Sequence, residues 1–371
     1  MTSSTKNAGN TRLVSLDAFR GFTIAAMIMV NYPGNWDHVY APLLHVDWHG
    51  ITPTDLIFPF FIFIVGVSIV LAYNKRLAAG FPKKDMYIKI LTRTIKIFGV
   101  GIFLALFPLF DYENLRVAGV LQRIAIVFAA CAFLYLNTGW KTQALTGAVI
   151  LIAYWLAMTL IPTPVAGKAM LEPGVNLAAW IDQQLLPGRM WQGTWDPEGI
   201  FSTLPAIVTG ITGMLAGKLI ISIDSRERTV IWLFATGFLS FIAGEVWGWA
   251  FPINKNIWTS SYVLYTSGLA VMTLAASMFF IDILGFRKGT GFGLIYGANA
   301  ITAYVLAGML SALFYRINYW GGDSLNHHFV SALSGTGLDP RFASLMYALM
   351  YVLIIFIPVY ILYRKKIFIK L

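Results

Sequence analysis

Ten stretches of about twenty mostly apolar residues divide this sequence, near 16–32, 55–73, 88–110, 117–136, 143–161, 200–221, 229–250, 260–283, 292–315 and 342–363. A helix rising 1.5 Å per residue needs about that length to cross the hydrocarbon of a bilayer with every backbone polar group bonded internally. The runs are too long for barrel strands and lack their apolar–polar alternation. Composition agrees: 58% of the residues are hydrophobic and 12% are charged, against about 25% charged in a soluble domain. The expected fold is an all-α, polytopic transmembrane bundle of about ten helices. It forms a single domain over residues 1–371, with residues 1–14 as a flexible N-terminus.

The net charge is +10, which raises the question of nucleic acid. In a membrane chain the positive-inside rule accounts for it more simply, and no nucleic-acid partner is expected. With the N-terminus in the cytoplasm, the inner segments hold sixteen cations: Lys6, Arg12, Lys75, Arg76, Lys83, Lys84, Lys141, Lys218, Arg226, Arg228, Arg287, Lys288, Arg364, Lys365, Lys366 and Lys370. The outer loops hold six: Arg116, Lys168, Arg189, Lys255, Arg316 and Arg341. Both termini are therefore expected in the cytoplasm, with the chain a multi-pass protein of the plasma membrane, in contact with lipid. The polar opening segment lacks a cleavable signal pattern. The lone Cys131 cannot form an intramolecular disulfide, so it does not report the redox compartment.

Ionisable side chains inside spanning helices are costly and point to function. Asp17 and Arg20 are three residues apart and share a helix face. Asn31 returns to nearly that face eleven residues later, about 16 Å further along. One stripe thus joins the inner end of the first helix to its outer end, although an Asp17–Arg20 pair can equally be an anchor. Lys89, Arg93 and Lys96 form a basic stripe at i, i+4 and i+7, suited either to the phosphates of a nucleotide or to snorkelling toward anionic lipid. Gln122 and Arg123 open the fourth span just below the outer surface. Arg123 needs a partner from elsewhere in the bundle, structural or ligand.

The outer loops collect polar and aromatic residues. The loop 33–54 carries His38, His45 and His49, loop 162–199 carries Trp191, Trp195, Asp196 and Glu198, and loop 316–341 carries Asp323, His327 and His328. Histidine is the side chain suited to taking a proton from an ammonium nucleophile near neutral pH. The four-residue spacing of His45 and His49 lacks the glutamate of a zinc motif, so no metal is expected.

Five segments resemble one family: SLDAFRGFTIAAMIMVNYPG, HVDWHGITPTDLIFPFFIFIVGVS, AGVLQRIAIVF, TWDPEGIFSTLPAIVTGITGMLAGK and PINKNIWTSSYVLYTSGLA. Together, and in this order, they are similar to the heparan-α-glucosaminide N-acetyltransferases. The resemblance implies a dimeric membrane enzyme that takes acetyl-CoA from the cytoplasmic side and acetylates a glucosamine amine on the far side. It implies His45 as the catalytic histidine and Asn31 as its partner asparagine. Two departures stand out: the loop between them is a few residues longer, and His49 replaces an asparagine of the lysosomal enzyme.

On this reading His45 is the general base, or carries the acetyl group transiently, and Asn31 donates to the developing oxyanion. Arg20, Lys89, Arg93, Lys96 and Arg123 are the candidates for holding acetyl-CoA. Trp48, Trp195 and Trp258 are the candidates for stacking on the sugar, with interfacial anchoring as the other use of such tryptophans. Asp55, Gln122, Asp196, Glu198, Lys255 and Asn256 complete the expected sugar site. The rival class is a sugar or small-molecule transporter, which intramembrane charges fit equally well.

Overall fold

The computed structural model describes residues 13–319 and 322–369. Lys6, Arg12, Lys370 and the N-terminal segment 1–12 lie outside the described residues. Helices dominate: α1 Val14–Asn31, α2 Ile57–Ala78, α3 Lys83–Leu106, α4 Val120–Asn137, α5 Trp140–Leu160, α6 Leu177–Leu185, α7 Ile200–Ser222, α8 Arg226–Gly248, α9 Ser260–Ser277, α10 Thr290–Ala298, α11 Ala300–Tyr315, α12 Leu325–Ser334 and α13 Pro340–Arg364. A two-residue antiparallel pair, Asn318–Tyr319 with Asp323–Ser324, is the strand content among the described residues.

Local chemistry sets the helix ends. Tyr32 leaves the helical region, at φ −134° and ψ 60°, ahead of Pro33, which disfavours the helical conformation in the residue before it, so α1 stops at Asn31. A Pro53–Leu56 turn starts α2, and Thr52 and Asp55 cap it reciprocally. Ser225, Thr259 and Asp339 cap α8, α9 and α13 by accepting Arg228 N–H, Tyr262 N–H and Phe342 N–H.

Among the described residues eight helical segments are long and apolar enough to cross a membrane, and the α10–α11 pair makes a ninth. The remaining expected span, over 88–110, corresponds to α3, whose 24 residues are long enough but carry Lys83, Lys84, Lys89 and Arg93 in the first half and Lys96 just beyond it. The chain is a multi-pass, all-α membrane bundle. Three details differ from the sequence expectation. Loop 162–199 contains α6, loop 316–341 contains α12, and the span expected over 292–315 is bent by 80°. The bend falls at Asn299, whose buried amide accepts from Ile369 N–H at 2.9 Å and donates to the Ile367 carbonyl at 3.1 Å. The side chain is committed to the C-terminal tail at the position where the helix breaks.

Lipid offers no hydrophobic drive between helices, so close backbone packing holds the bundle. Where α2 crosses α7, a Cβ on Gly66 would stand 3.0 Å from the Gly213 Cα, so the crossing requires glycine. Gly21 of α1 meets Gly293 and Gly297 of α10 in the same way. These contacts join α2 to α7 and α1 to α10, α4 and α9 pack on both α2 and α7, and the loops before α2 and before α9 come to one end of the bundle.

Candidate active site

At that end, the loops before α2 and before α9 are zipped together. Gly50 N–H donates to the Ile253 carbonyl at 2.8 Å, Asn254 Nδ2 lies 3.2 Å from His49 Nδ1, and Asn256 Nδ2 donates to the Asp47 carbonyl at 3.3 Å. The seam places three ionisable side chains in contact. His45 Nδ1 is 2.7 Å from Asp55 Oδ1. Lys255 Nζ is 2.8 Å from His45 Nδ1, 3.2 Å from His45 Nε2 and 3.5 Å from Asp55 Oδ1.

Asp55 is fully buried, and its other oxygen accepts from Thr52 N–H at 3.0 Å, Val46 N–H at 3.2 Å and the Thr52 hydroxyl at 2.9 Å. Its backbone carbonyl accepts from Tyr262 Oη at 2.6 Å. The carboxylate is thus fixed from several sides and aims one lone pair at the imidazole. With Nδ1 donating to Asp55, Nε2 keeps its lone pair, the tautomer a proton acceptor needs. The His45 side chain is 45% exposed, whereas Lys255 is 12% exposed. Burial pushes the Lys255 ammonium below its usual pKa, against the opposing charges of Asp55 and Glu198. Burial likewise lowers His49.

A second cluster lies beside the first. Arg116 donates to Asp196 through Nε at 2.7 Å and Nη2 at 2.6 Å, pairs with Glu198, and stands 5.0 Å over the Trp191 ring. Asp196 and Glu198 raise the Arg116 guanidinium above its usual value despite the opposing effect of burial. Asp196 also accepts Trp191 N–H and Glu198 N–H, so its oxygens are engaged by the protein. Arg116 was absent from the expected site. Its sequence signal was rarity, since it is one of only six cations in the loops expected on the outer side. Asp182 of α6 is buried and accepts Ile200 N–H at 2.8 Å, and burial pushes its carboxyl up to about 6.

Beneath these groups Arg123 is 1% exposed. It donates to the Gly199 carbonyl at 3.1 Å and Ser202 Oγ at 2.5 Å and lies 5.0 Å from the Trp258 ring centre. Its Nε and Nη1 have no hydrogen-bond partner among the described residues. Trp258 is packed edgewise by Phe58 and Tyr262 and donates to Thr209 Oγ1 at 3.1 Å. Its ring is therefore a floor for Arg123, deep in the bundle. Gln122 is buried against Gly101. Trp48 and Trp195 meet at 5.0 Å near the surface, with Trp48 Nε1 held by the Leu171 carbonyl at 3.0 Å. Asn31 is half-buried at the end of α1.

The intramembrane cations gather near the opposite end. Arg20 bonds Asp17 at 3.1 Å and Ser68 Oγ at 2.9 Å. Arg93 lies 4.7 Å from the Phe128 ring centre, within electrostatic reach of Arg20 and Arg76. Lys89 sits 5.7 Å from the Phe81 ring centre, and Lys96 is exposed.

The sequence model for the catalytic region of heparan-alpha-glucosaminide N-acetyltransferase matches residues 12–243. The chain belongs to the heparan-alpha-glucosaminide N-acetyltransferase family. The human heparan-alpha-glucosaminide N-acetyltransferase is 29% identical over 421 aligned residues, covering 97% of this chain and 60% of its own length. The mouse protein of the same name is 28% identical over 427, covering 99% and 62%. The chain thus spans about three-fifths of the length of these curated relatives. Within the heparan-alpha-glucosaminide N-acetyltransferase match lie Asn31, His45, Asp55 and Arg123, while Lys255 falls beyond the matched segment.

Proposed function

We propose that this chain is a membrane acetyltransferase that moves an acetyl group from cytoplasmic acetyl-CoA to the amine of a glucosamine-type sugar at the outer end of the bundle. The carrying observation is the imidazole of His45, held by buried Asp55 and open to solvent at the end where the polar loops meet. His45 Nε2 takes the proton of the sugar ammonium, and Asp55 stabilises the imidazolium that forms. Asn31, at the end of the helix that begins with Asp17 and Arg20, donates to the thioester oxygen as charge develops there. The half-exposed pair Trp48 and Trp195, with Asn256 at the loop seam, offers ring faces and hydrogen-bonding groups to the sugar.

At the inner end Arg20, Arg93 and Lys89, joined by Arg76, offer positive charge to the cofactor's phosphates, with Lys96 exposed on the same helix. Arg123 is a less direct participant: Gly199, Ser202 and Trp258 already hold it, and it braces the floor of the site. The chain is read as one transmembrane domain of the plasma membrane, in a homodimer, with acetyl-CoA as co-substrate.

The test is purified full-length protein in lipid nanodiscs with labelled acetyl-CoA and glucosamine. Acetyl-glucosamine formation, lowered at least 100-fold by His45→Gln, is the expected result. Sugar uptake into vesicles with no acetylated product would replace the enzyme by a transporter.

A further inference from the structure

Lys255 is a primary amine placed where the proposed acceptor's primary amine has to stand. We propose that Lys255 is itself an acetyl acceptor: when no sugar is bound, its ε-amine takes the acetyl group from the thioester that reaches His45. The proposal rests on the reading of this site as an acetyl-CoA transferase.

The geometry carries it. Nζ is 2.8 Å from His45 Nδ1 and 3.2 Å from Nε2, within proton-transfer distance of the base. The side chain is held against Asp55 at 3.5 Å and is 12% exposed, so the amine stays in the site. The charged groups acting on it are Asp55 at the start of α2, Glu198 just before α7 and Arg123 of α4. Burial outweighs the two carboxylates and shifts the amine toward its neutral, nucleophilic form.

In the step, the ammonium of Lys255 first gives a proton to His45. The neutral nitrogen attacks the thioester carbonyl, a C–N bond forms, and the C–S bond breaks. The coenzyme A thiolate leaves and is protonated from imidazolium His45, which returns the ring to its neutral form, and the second amine proton passes to solvent. The product is an uncharged amide. It removes the cation that faces Asp55 and fills the space beside His45, so donor without acceptor brings the site to rest.

The experiment incubates the purified full chain with acetyl-CoA, with and without glucosamine, followed by peptide mass spectrometry. Lys168, exposed in an outer loop, reports background chemistry. The expected result is one acetyl group at Lys255, accumulating well ahead of Lys168, suppressed by glucosamine, and slowed about 100-fold in His45→Gln. Lys255 left unmodified in the arm without glucosamine, while the arm with it yields acetylated glucosamine, overturns the proposal and leaves the transfer reading intact. Absence of both products overturns both. Equal labelling of Lys168 and Lys255, or labelling undiminished in His45→Gln, also overturns it, since the acetylation is then uncatalysed.

Discussion

Asp55→Asn keeps the shape of the side chain and reverses the chemistry of the imidazole. One oxygen of Asp55 faces Thr52 N–H at 3.0 Å and Val46 N–H at 3.2 Å, so the asparagine carbonyl has to lie there. Its NH2 then faces His45 Nδ1 across the gap that is 2.7 Å in the native chain. That group can only donate, so Nδ1 becomes the acceptor and the ring proton moves to Nε2. The lone pair that would take the sugar's proton is lost. The same exchange in a serine-protease triad lowers the rate by about 10⁴. Here the ring is half-exposed and can reorient, so a loss of about 10²–10³ is expected, or roughly 3–4 kcal/mol in the barrier. Initial rates of labelled acetyl transfer at saturating donor and acceptor measure it, with apparent Tm in nanodiscs reporting that the fold survives. Activity within about threefold of the native rate, in a folded variant, would refute the tautomer argument.

Three further outcomes follow from the same contacts. Asp182 has a folded-state pKa of about 6 against 3.8 in the unfolded chain, so the folded form holds a proton that the unfolded form has released between those values. Its contribution to stability is therefore full below pH 3.8 and falls, by up to about 3 kcal/mol, as pH rises to 6. Apparent Tm followed across that window should decline less steeply in Asp182→Asn, and an unchanged slope would rule this carboxyl out. Gly66→Ala drives a methyl against α7 and should cost about 1–3 kcal/mol, read as a lower apparent Tm. Arg93→Ala should raise the KM for acetyl-CoA about tenfold with kcat little altered; an unaltered KM would mean that Arg93 serves only lipid and Phe128.

The bundle was legible in the sequence because apolar runs of membrane length have few other uses. The run over 260–283 is matched within the described residues by the Ser260–Ile283 span. The interior of the long loops was less legible. Helices α6 and α12 are 9 and 10 residues long, too short to announce themselves in a run defined by membrane thickness. Nor did composition mark the break at Asn299, since the residues on both sides are apolar and the partners of its side chain, Ile367 and Ile369, lie about seventy positions later, in the tail.

The site divided along similar lines. His45 and Asp55 are ten residues apart, within one loop and the turn that ends it, so their meeting was within reach of a local reading. The expectation instead put Asp55 and Lys255 on the sugar. The approach of Lys255 across 210 positions depends on two loops closing on each other, which no spacing rule encodes. The pairing of Asp196 and Glu198 with Arg116 is long-range as well, at 80 and 82 positions.

The tether between Asn299 and the tail has a practical consequence for anyone handling this chain. Clipping it after Lys366, or pulling on it with a bulky fusion, would strip two hydrogen bonds from an amide that is 1% exposed. Each stranded polar group costs on the order of 1–3 kcal/mol. The damage would surface at the elbow of a distant helix, so purification handles belong at the other terminus.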